Sequence, residues 1–212
     1  MDRPRGGAWR LTPITTLYFV RHGESEANAA HVFAGQTDSP LTARGREQAK
    51  TVAAHLRPIA FDRIVTSPLS RTKDTAAEIA TDRGTPVEIY PDLIEIHVGD
   101  AAGKRFDEMR GLPNYDGEGW HQWPGGETLE QVAERAMRVI DRLVEESAGK
   151  TICIVGHGGV TRILVSGFMG VLPKLIRVPA TNTNITIVRH SPESGYTVDE
   201  MFNDAHVVEA GG

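Results

Sequence analysis

Apolar residues fall along this chain in two recurring patterns, short continuous runs and stripes at helical spacing, and the two alternate. Apolar runs at residues 16–20 and 151–155 predict strands buried on both faces, and residues 63–66 and 87–90 predict two shorter strands. Between them, residues 42–56 carry Ala49, Val52, Ala53 and Leu56 at helical spacing, with Thr42 as the N-cap. Residues 70–83 predict a second helix, closed by Gly84. The strongest stripe runs from Leu129 through Val132, Ala136, Val139, Ile140, Leu143 and Val144. It predicts a helix over residues 128–148 that stops at Gly149. Another helix is predicted from about Val160 to Met169. Residues 185–189 and 196–202 read as a strand pair around a turn at 192–195.

This alternation predicts one α/β domain over residues 16–212, a three-layer α/β/α sandwich with a mostly parallel central sheet. Residues 1–15 contain basic side chains but neither an apolar signal core nor a small-residue cleavage site, so they are expected to be a frayed tail. Trp9 as a docking anchor is the lesser reading. Residues 96–127 break the pattern. They are rich in Gly, Asp and aromatic residues, with one short helical candidate at 105–110, and are expected to form a lid or substrate loop.

Composition narrows the field. With 40% hydrophobic and 24% charged residues among 212, the chain is neither a disordered segment nor a coiled coil. The net charge is −5 and no basic block stands out, so neither nucleic acid nor a membrane surface is an expected partner. A small anionic ligand would need a local basic pocket. The lone cysteine, Cys153, excludes an internal disulfide and a Cys-rich zinc site and suits a reducing cytoplasm. No apolar run approaches the roughly 18–20 residues of a membrane span.

The candidate chemistry sits where two apolar runs end. One continues as Arg21-His22-Gly23-Glu24, the other as Gly156-His157-Gly158-Gly159. In parallel α/β sheets ligands bind beyond the carboxyl ends of the strands, so these two histidines can meet at one edge. Glycine lets the backbone approach a ligand closely, and a helix opening near Val160 adds a positive end. Arg21, Arg71 and Arg162 fall near the same edge. An arginine fork matches phosphate oxygens, so histidines among arginines point to a phosphate monoester site. A histidine with one neutral nitrogen can attack phosphorus, provided a carboxylic acid protonates the leaving alkoxide. Glu24, Asp92 and Glu95 are the carboxylates to consider. A dinuclear metal site is the competing use of the histidines, but none has the spacing that puts ligands on one helix face; no metal and no cofactor are expected.

Taken together, LYFVRHGESEAN, DSPLTARGREQA, IVTSPLSRTKDTA, GGETLEQVAERA and IVGHGGVTR resemble the histidine phosphatase superfamily, in its phosphoglycerate-mutase-like branch, from about Leu17 to His206. The resemblance implies His22 as the nucleophile that becomes phosphohistidine. It implies Arg21, Arg71 and His157 as holders of the phosphoryl oxygens and Glu95 as the acid. Asn28 matches a phosphate-pocket position, Gly158 a backbone amide donor, and Gln36 and Asp38 a loop that borders substrate. Glu24, beside the nucleophile, is expected to orient substrate or serve structure. Dimers are frequent among such relatives, so a homodimer is allowed.

One departure stands out. Where the family commonly has Trp-Glu, this chain has Ala101-Ala102, which leaves two readings: a pocket opened for a bulkier substrate, or a gap filled by neighbouring side chains. Residues 104–126 lack the adjacent arginine pair that grips glycerate in the mutases, and Asp107, Glu108, Asp116 and Glu118 would repel a second carboxylate. The expected activity is therefore a metal-independent phosphatase acting on a small phosphorylated metabolite, ahead of a mutase-type phosphotransferase and of a non-catalytic phospho-ligand module. His97, Tyr115, Trp120, His121 and Trp123 are candidates for the wall that selects the substrate.

Overall fold

The computed structural model describes residues 12–108, 123–176, 181–204 and 206. Its elements follow the order β1 (Thr15–Arg21), α1 (Glu26–Ala29), α2 (Ala43–Leu56), β2 (Arg63–Thr66), α3 (Ser70–Ala80) and β3 (Val87–Ile89). After two short 3-10 turns, Pro91–Leu93 and Gly99–Ala101, come α4 (Leu129–Glu146), β4 (Thr151–Gly156), α5 (Gly158–Phe168), β5 (Ile185–Ser191) and β6 (Gly195–Asn203).

The strands form one sheet in the order β3-β2-β4-β1-β5-β6. The first four are parallel, whereas β5 joins β1 antiparallel and β6 closes the edge as a hairpin partner. The sheet is thus mostly parallel with an antiparallel edge. Strand periodicity divides the core. Leu17 and Phe19 of β1 and Ile152 and Ile154 of β4 pack with the apolar stripes of α4 and α5. Val20, Cys153 and Val155 point the other way, onto α2 and α3. The result is the expected three-layer sandwich.

Local differences from the predicted elements have identifiable causes. Helix α3 ends at Ala80, short of Arg83. The Arg83 guanidinium donates to the carbonyls of Ile79, Ile59 and Leu56 at 2.6, 2.5 and 2.7 Å, so one side chain serves the ends of both α2 and α3. Helix α5 begins two residues early, at Gly158, because glycine hides a helix start from propensity. Residues 105–108 form a bridge and a turn rather than a helix. The segment expected to be a lid packs into the body where it is described. Ile96, Val98, Ala101 and Trp123 are buried with α4, and the Phe33 backbone pairs with Gly103 and Lys104. Trp9, Arg110, Tyr115, Trp120 and His121 lie outside the described residues.

Candidate active site

Register brings the two histidines together. Val20 pairs with Val155 and Arg21 with Gly156, so the next residue of each strand leaves the sheet beside the other. The His22 N–H donates to the Gly156 carbonyl at 3.1 Å. The imidazoles of His22 and His157 meet edge to face, with ring centroids 5.3 Å apart and planes at 65°. From there the chain diverges. β1 leads to α2 on one face and β4 leads directly into α5 on the other, which opens a crevice at this edge. Gly23 is required by contact: a Cβ there would stand 2.3 Å from the carbonyl oxygen of Gly45, in the first turn of α2.

The hydrogen bonds fix the tautomer of His22. Its Nδ1 lies 2.7 Å from the Gly23 carbonyl, which can only accept, so Nδ1 carries the proton and Nε2 keeps its lone pair. Burial, then the charges of Arg21 and Arg71, hold this imidazole well below the ordinary histidine range. His22 is therefore neutral at pH 7. The same holds for His157, through burial, then the proximity of His22 and the charges of Arg71 and Arg21. His157 Nε2 lies 2.8 Å from the Ser67 hydroxyl, which also contacts the Thr72 hydroxyl at 2.7 Å. Thr72 has the Leu69 carbonyl as an acceptor at 2.9 Å. Passing each proton along this chain makes His157 Nε2 the donor to Ser67 and leaves Nδ1, buried, as a nitrogen with no hydrogen-bond partner among the described residues.

A cavity of about 240 Å³ opens on His22. Arg21, Arg71 and Arg162 line it, together with Glu95, Asn28 and Gly159. Arg71 is almost fully buried, and its fork is aimed by donation to Gly35 O and Thr37 O at 2.8 and 3.0 Å. Burial lowers Arg21 to about 10, and burial also lowers Arg71 and Arg162, while the Glu95 carboxylate pulls all three back up. All three remain cationic at neutral pH. Glu95 accepts from the backbone N–H of Ile96 at 2.9 Å and of Gly159 at 3.3 Å, the latter at the N-terminus of α5. Among the described residues no group of three or more His, Cys, Asp or Glu side chains could hold a metal ion, and no helix is long and apolar enough to cross a membrane.

The signature of the histidine phosphatase superfamily (branch 1) matches residues 17–204. The chain belongs to this superfamily. It is similar to the adenosylcobalamin/alpha-ribazole phosphatase of Escherichia coli strain K12, with 34% identity over 163 residues, 73% of this chain and 79% of that one. It is also similar to the "Probable phosphoglycerate mutase GpmB" of Photorhabdus laumondii, with 32% identity over 203 residues, 90% of this chain and 94% of that one. Among solved structures, Bacillus stearothermophilus YhfR superposes with a TM-score of 0.82 at 29% identity, covering 92% of this chain and 100% of that one.

Not every residue expected at this histidine phosphatase site reaches the cavity. Asn28 does: its Oδ1 accepts from the N–H of Ser25, capping α1, and from Asn182, whose amide also donates to His22 O. Gln36 lies behind the site and donates to the Glu95 carbonyl at 3.0 Å. Glu24 accepts from Thr42 at 2.8 Å, which ties it to the cap of α2 rather than to a ligand. Asp38 accepts from the N–H and hydroxyl of Ser70, anchoring the start of α3. Of the two glycines that open α5, Gly159 lines the cavity and Gly158 does not. His97 is exposed and outside the lining, whereas Trp123 lines it.

Ala101 decides between its two readings. It is fully buried in the cluster that holds Val98 and Trp123 and does not line the cavity, so the small side chain is packed over rather than opened to substrate. Three residues escaped the sequence reading: Ser67, which holds His157; Asn182, which holds the His22 loop; and Arg135, which holds the backbone of Glu95 at 3.1 Å. Arg135 had a signal. It falls at helical spacing within the Val132–Val139 stripe, where a charged side chain must find a buried partner.

Proposed function

We propose that this protein hydrolyses a small-molecule phosphate monoester through a phosphohistidine on His22. The observation that carries the reading is a neutral imidazole whose Nε2 is left unprotonated at the floor of a cavity lined by three guanidiniums. The Nε2 lone pair attacks phosphorus and the ester P–O bond breaks. The departing oxygen takes the proton of the Glu95 carboxylic acid and the alcohol leaves. A water then attacks phosphorus and returns a proton to Glu95. The N–P bond breaks, its electron pair restores neutral His22, and inorganic phosphate departs. Through both steps the Gly23 carbonyl accepts from His22 Nδ1, and Arg21, Arg71 and Arg162 face the charge spread over the phosphoryl oxygens.

The rest of the cavity favours hydrolysis of an ester whose alcohol is apolar or aromatic. Outside the charged floor, and apart from the polar Ser25 and Asn28, the described lining is mostly apolar and includes Phe33, Ile96, Val98, Phe106, Trp123 and Leu175. Phe33 is central, with ring centroids 4.4 Å from Phe106 and 5.3 Å from Trp123. Such a wall buries rings well and, among the described residues, offers no cation to the second carboxylate of a phosphoglycerate. The decisive test compares hydrolysis of an aryl or nucleoside monophosphate with conversion of 3-phosphoglycerate to its 2-isomer. Turnover of the former and none of the latter is expected; efficient isomerisation would overturn the reading.

A further inference from the structure

We propose that Arg135, with Glu127 and Gln36, is a positioning residue that sets where the Glu95 acid stands; the proposal rests on Glu95 acting as the acid. Residues 92–97 cross beneath the cavity with no regular structure beyond the turn at Pro91–Leu93, so their backbone groups need partners from elsewhere. Side chains from α4 and its approach supply them. The Arg135 guanidinium, nearly buried, donates to the carbonyls of Asp92 and Ile94 at 2.7 Å each and to that of Glu95 at 3.1 Å. Its remaining donors grip Glu127 as a fork, Nε to Oε1 at 2.7 Å and Nη2 to Oε2 at 2.9 Å. Glu127 in turn accepts from the His97 N–H at 2.8 Å, while its own N–H donates to His97 O at 2.8 Å. Gln36 adds a second donor to Glu95 O at 3.0 Å.

The polar backbone on both sides of Glu95 is thus fixed by one charge-paired unit that never enters the cavity: Arg135, Glu127 and Gln36 are all absent from its lining. The carboxylate itself is pinned by Ile96 N–H and Gly159 N–H, so its distance from the reacting oxygen follows the backbone at residue 95. Burial raises the Glu127 carboxyl, but Arg135 and the His97 N–H outweigh it and hold Glu127 ionised, which keeps the fork closed at neutral pH. Lysine cannot replace this arrangement. It has the charge but not the planar fork that spans three carbonyls and a carboxylate. A displacement of about 1 Å at a reacting group costs on the order of 100-fold in rate.

The test uses leaving-group dependence, which a purely structural role would not move. For each variant, kcat/KM is measured on an alkyl phosphate, whose leaving group needs the acid, and on p-nitrophenyl phosphate, whose leaving group does not. Glu95→Gln is the reference and is expected to lose activity on the alkyl ester selectively. Arg135→Lys and Glu127→Gln are expected to lose about 10- to 100-fold on the alkyl ester, mostly in kcat, with the aryl ester within about 3-fold of wild type. Gln36→Leu removes one donor and is expected to show a smaller shift of the same sign; it carries the test if the Arg135 variants do not fold, as judged by thermal melting. Folded variants that slow both esters equally, or neither, overturn the positioning role. Equal slowing of both esters by Glu95→Gln itself overturns the acid assignment and the proposal with it, and the two failures are told apart by which variant shows them.

Discussion

His22 and His157 stand 135 positions apart in the sequence and meet with ring centroids 5.3 Å apart. Each is neutral with one unprotonated nitrogen, but they are placed differently: His22 lines the cavity with Arg21, Arg71 and Arg162, whereas His157 is fully buried outside the lining and its Nδ1 has no hydrogen-bond partner among the described residues. The proposed attack therefore falls to His22. Replacing it with Ala is expected to lower turnover by at least about 1000-fold while the protein still folds. Wild type quenched in denaturant during turnover of a 32P-labelled substrate is expected to carry acid-labile, alkali-stable label. Label surviving in the His22→Ala chain would move the nucleophile elsewhere.

His157 makes a different prediction. It is neutral in the free protein because burial and the surrounding cations oppose its charge. A bound phosphoryl dianion in the neighbouring cavity reverses the local field, so Nδ1 is expected to gain a proton. Binding of vanadate or phosphate near pH 7 is then accompanied by uptake of about one proton, measured by calorimetry in buffers of different ionisation enthalpy. The uptake is expected to vanish in His157→Asn. Identical heats in all buffers for wild type would remove this role.

Gly159 tests the acid from the other side. A Cβ there would stand 2.6 Å from Glu95 Oε1 and 2.7 Å from Ile96 Cδ1. Both are ends of movable side chains, and alanine is the better helix former by about 1 kcal/mol, so the fold of Gly159→Ala is expected to survive. The carboxylate must move aside. Activity on alkyl esters is expected to fall about 10- to 100-fold with a melting temperature within a few degrees of wild type. Undiminished alkyl ester hydrolysis would show that the carboxylate position is not critical.

The cation chemistry of the floor bears on metal dependence. Three guanidiniums face the position where the phosphoryl group is to sit, with Glu95 the carboxylate among the described lining residues. They supply the positive charge a divalent ion would otherwise bring, and they repel such an ion. Activity is expected to be unchanged after EDTA treatment. Loss on chelation with recovery on adding a divalent ion would contradict the mechanism.

Much of this was legible in the residues alone. His22 and His157 end uninterrupted apolar runs, and a buried parallel strand leaves few places for a polar residue other than its carboxyl end. The α4 stripe gave its helix to within two residues because burial enforced the period. Helix α1 was missed because four residues held by a Ser25–Asn28 capping box carry no periodicity. Arg135 and Asn182 were missed for another reason. Their work is to satisfy backbone carbonyls of segments distant in sequence, and a carbonyl leaves no mark in the amino-acid code. Ala101 left two readings open because a small residue signals space, but which side chain fills that space is decided by packing.

The two depressed histidines also set how stability depends on pH. Unfolded, each titrates near 6.5; folded, each resists protonation to well below that. In the window beneath pH 6.5 the unfolded chain therefore binds protons that the folded chain does not. Stability contributed by this pair is full above about pH 6.5 and falls as pH drops below it. His22→Gln removes one of these protons from the balance. Between pH 7 and pH 5, the loss of unfolding free energy in urea is expected to be smaller in this variant than in wild type. Equal losses would mean that His22 is charged in the folded protein, and a charged imidazole has no lone pair with which to attack phosphorus.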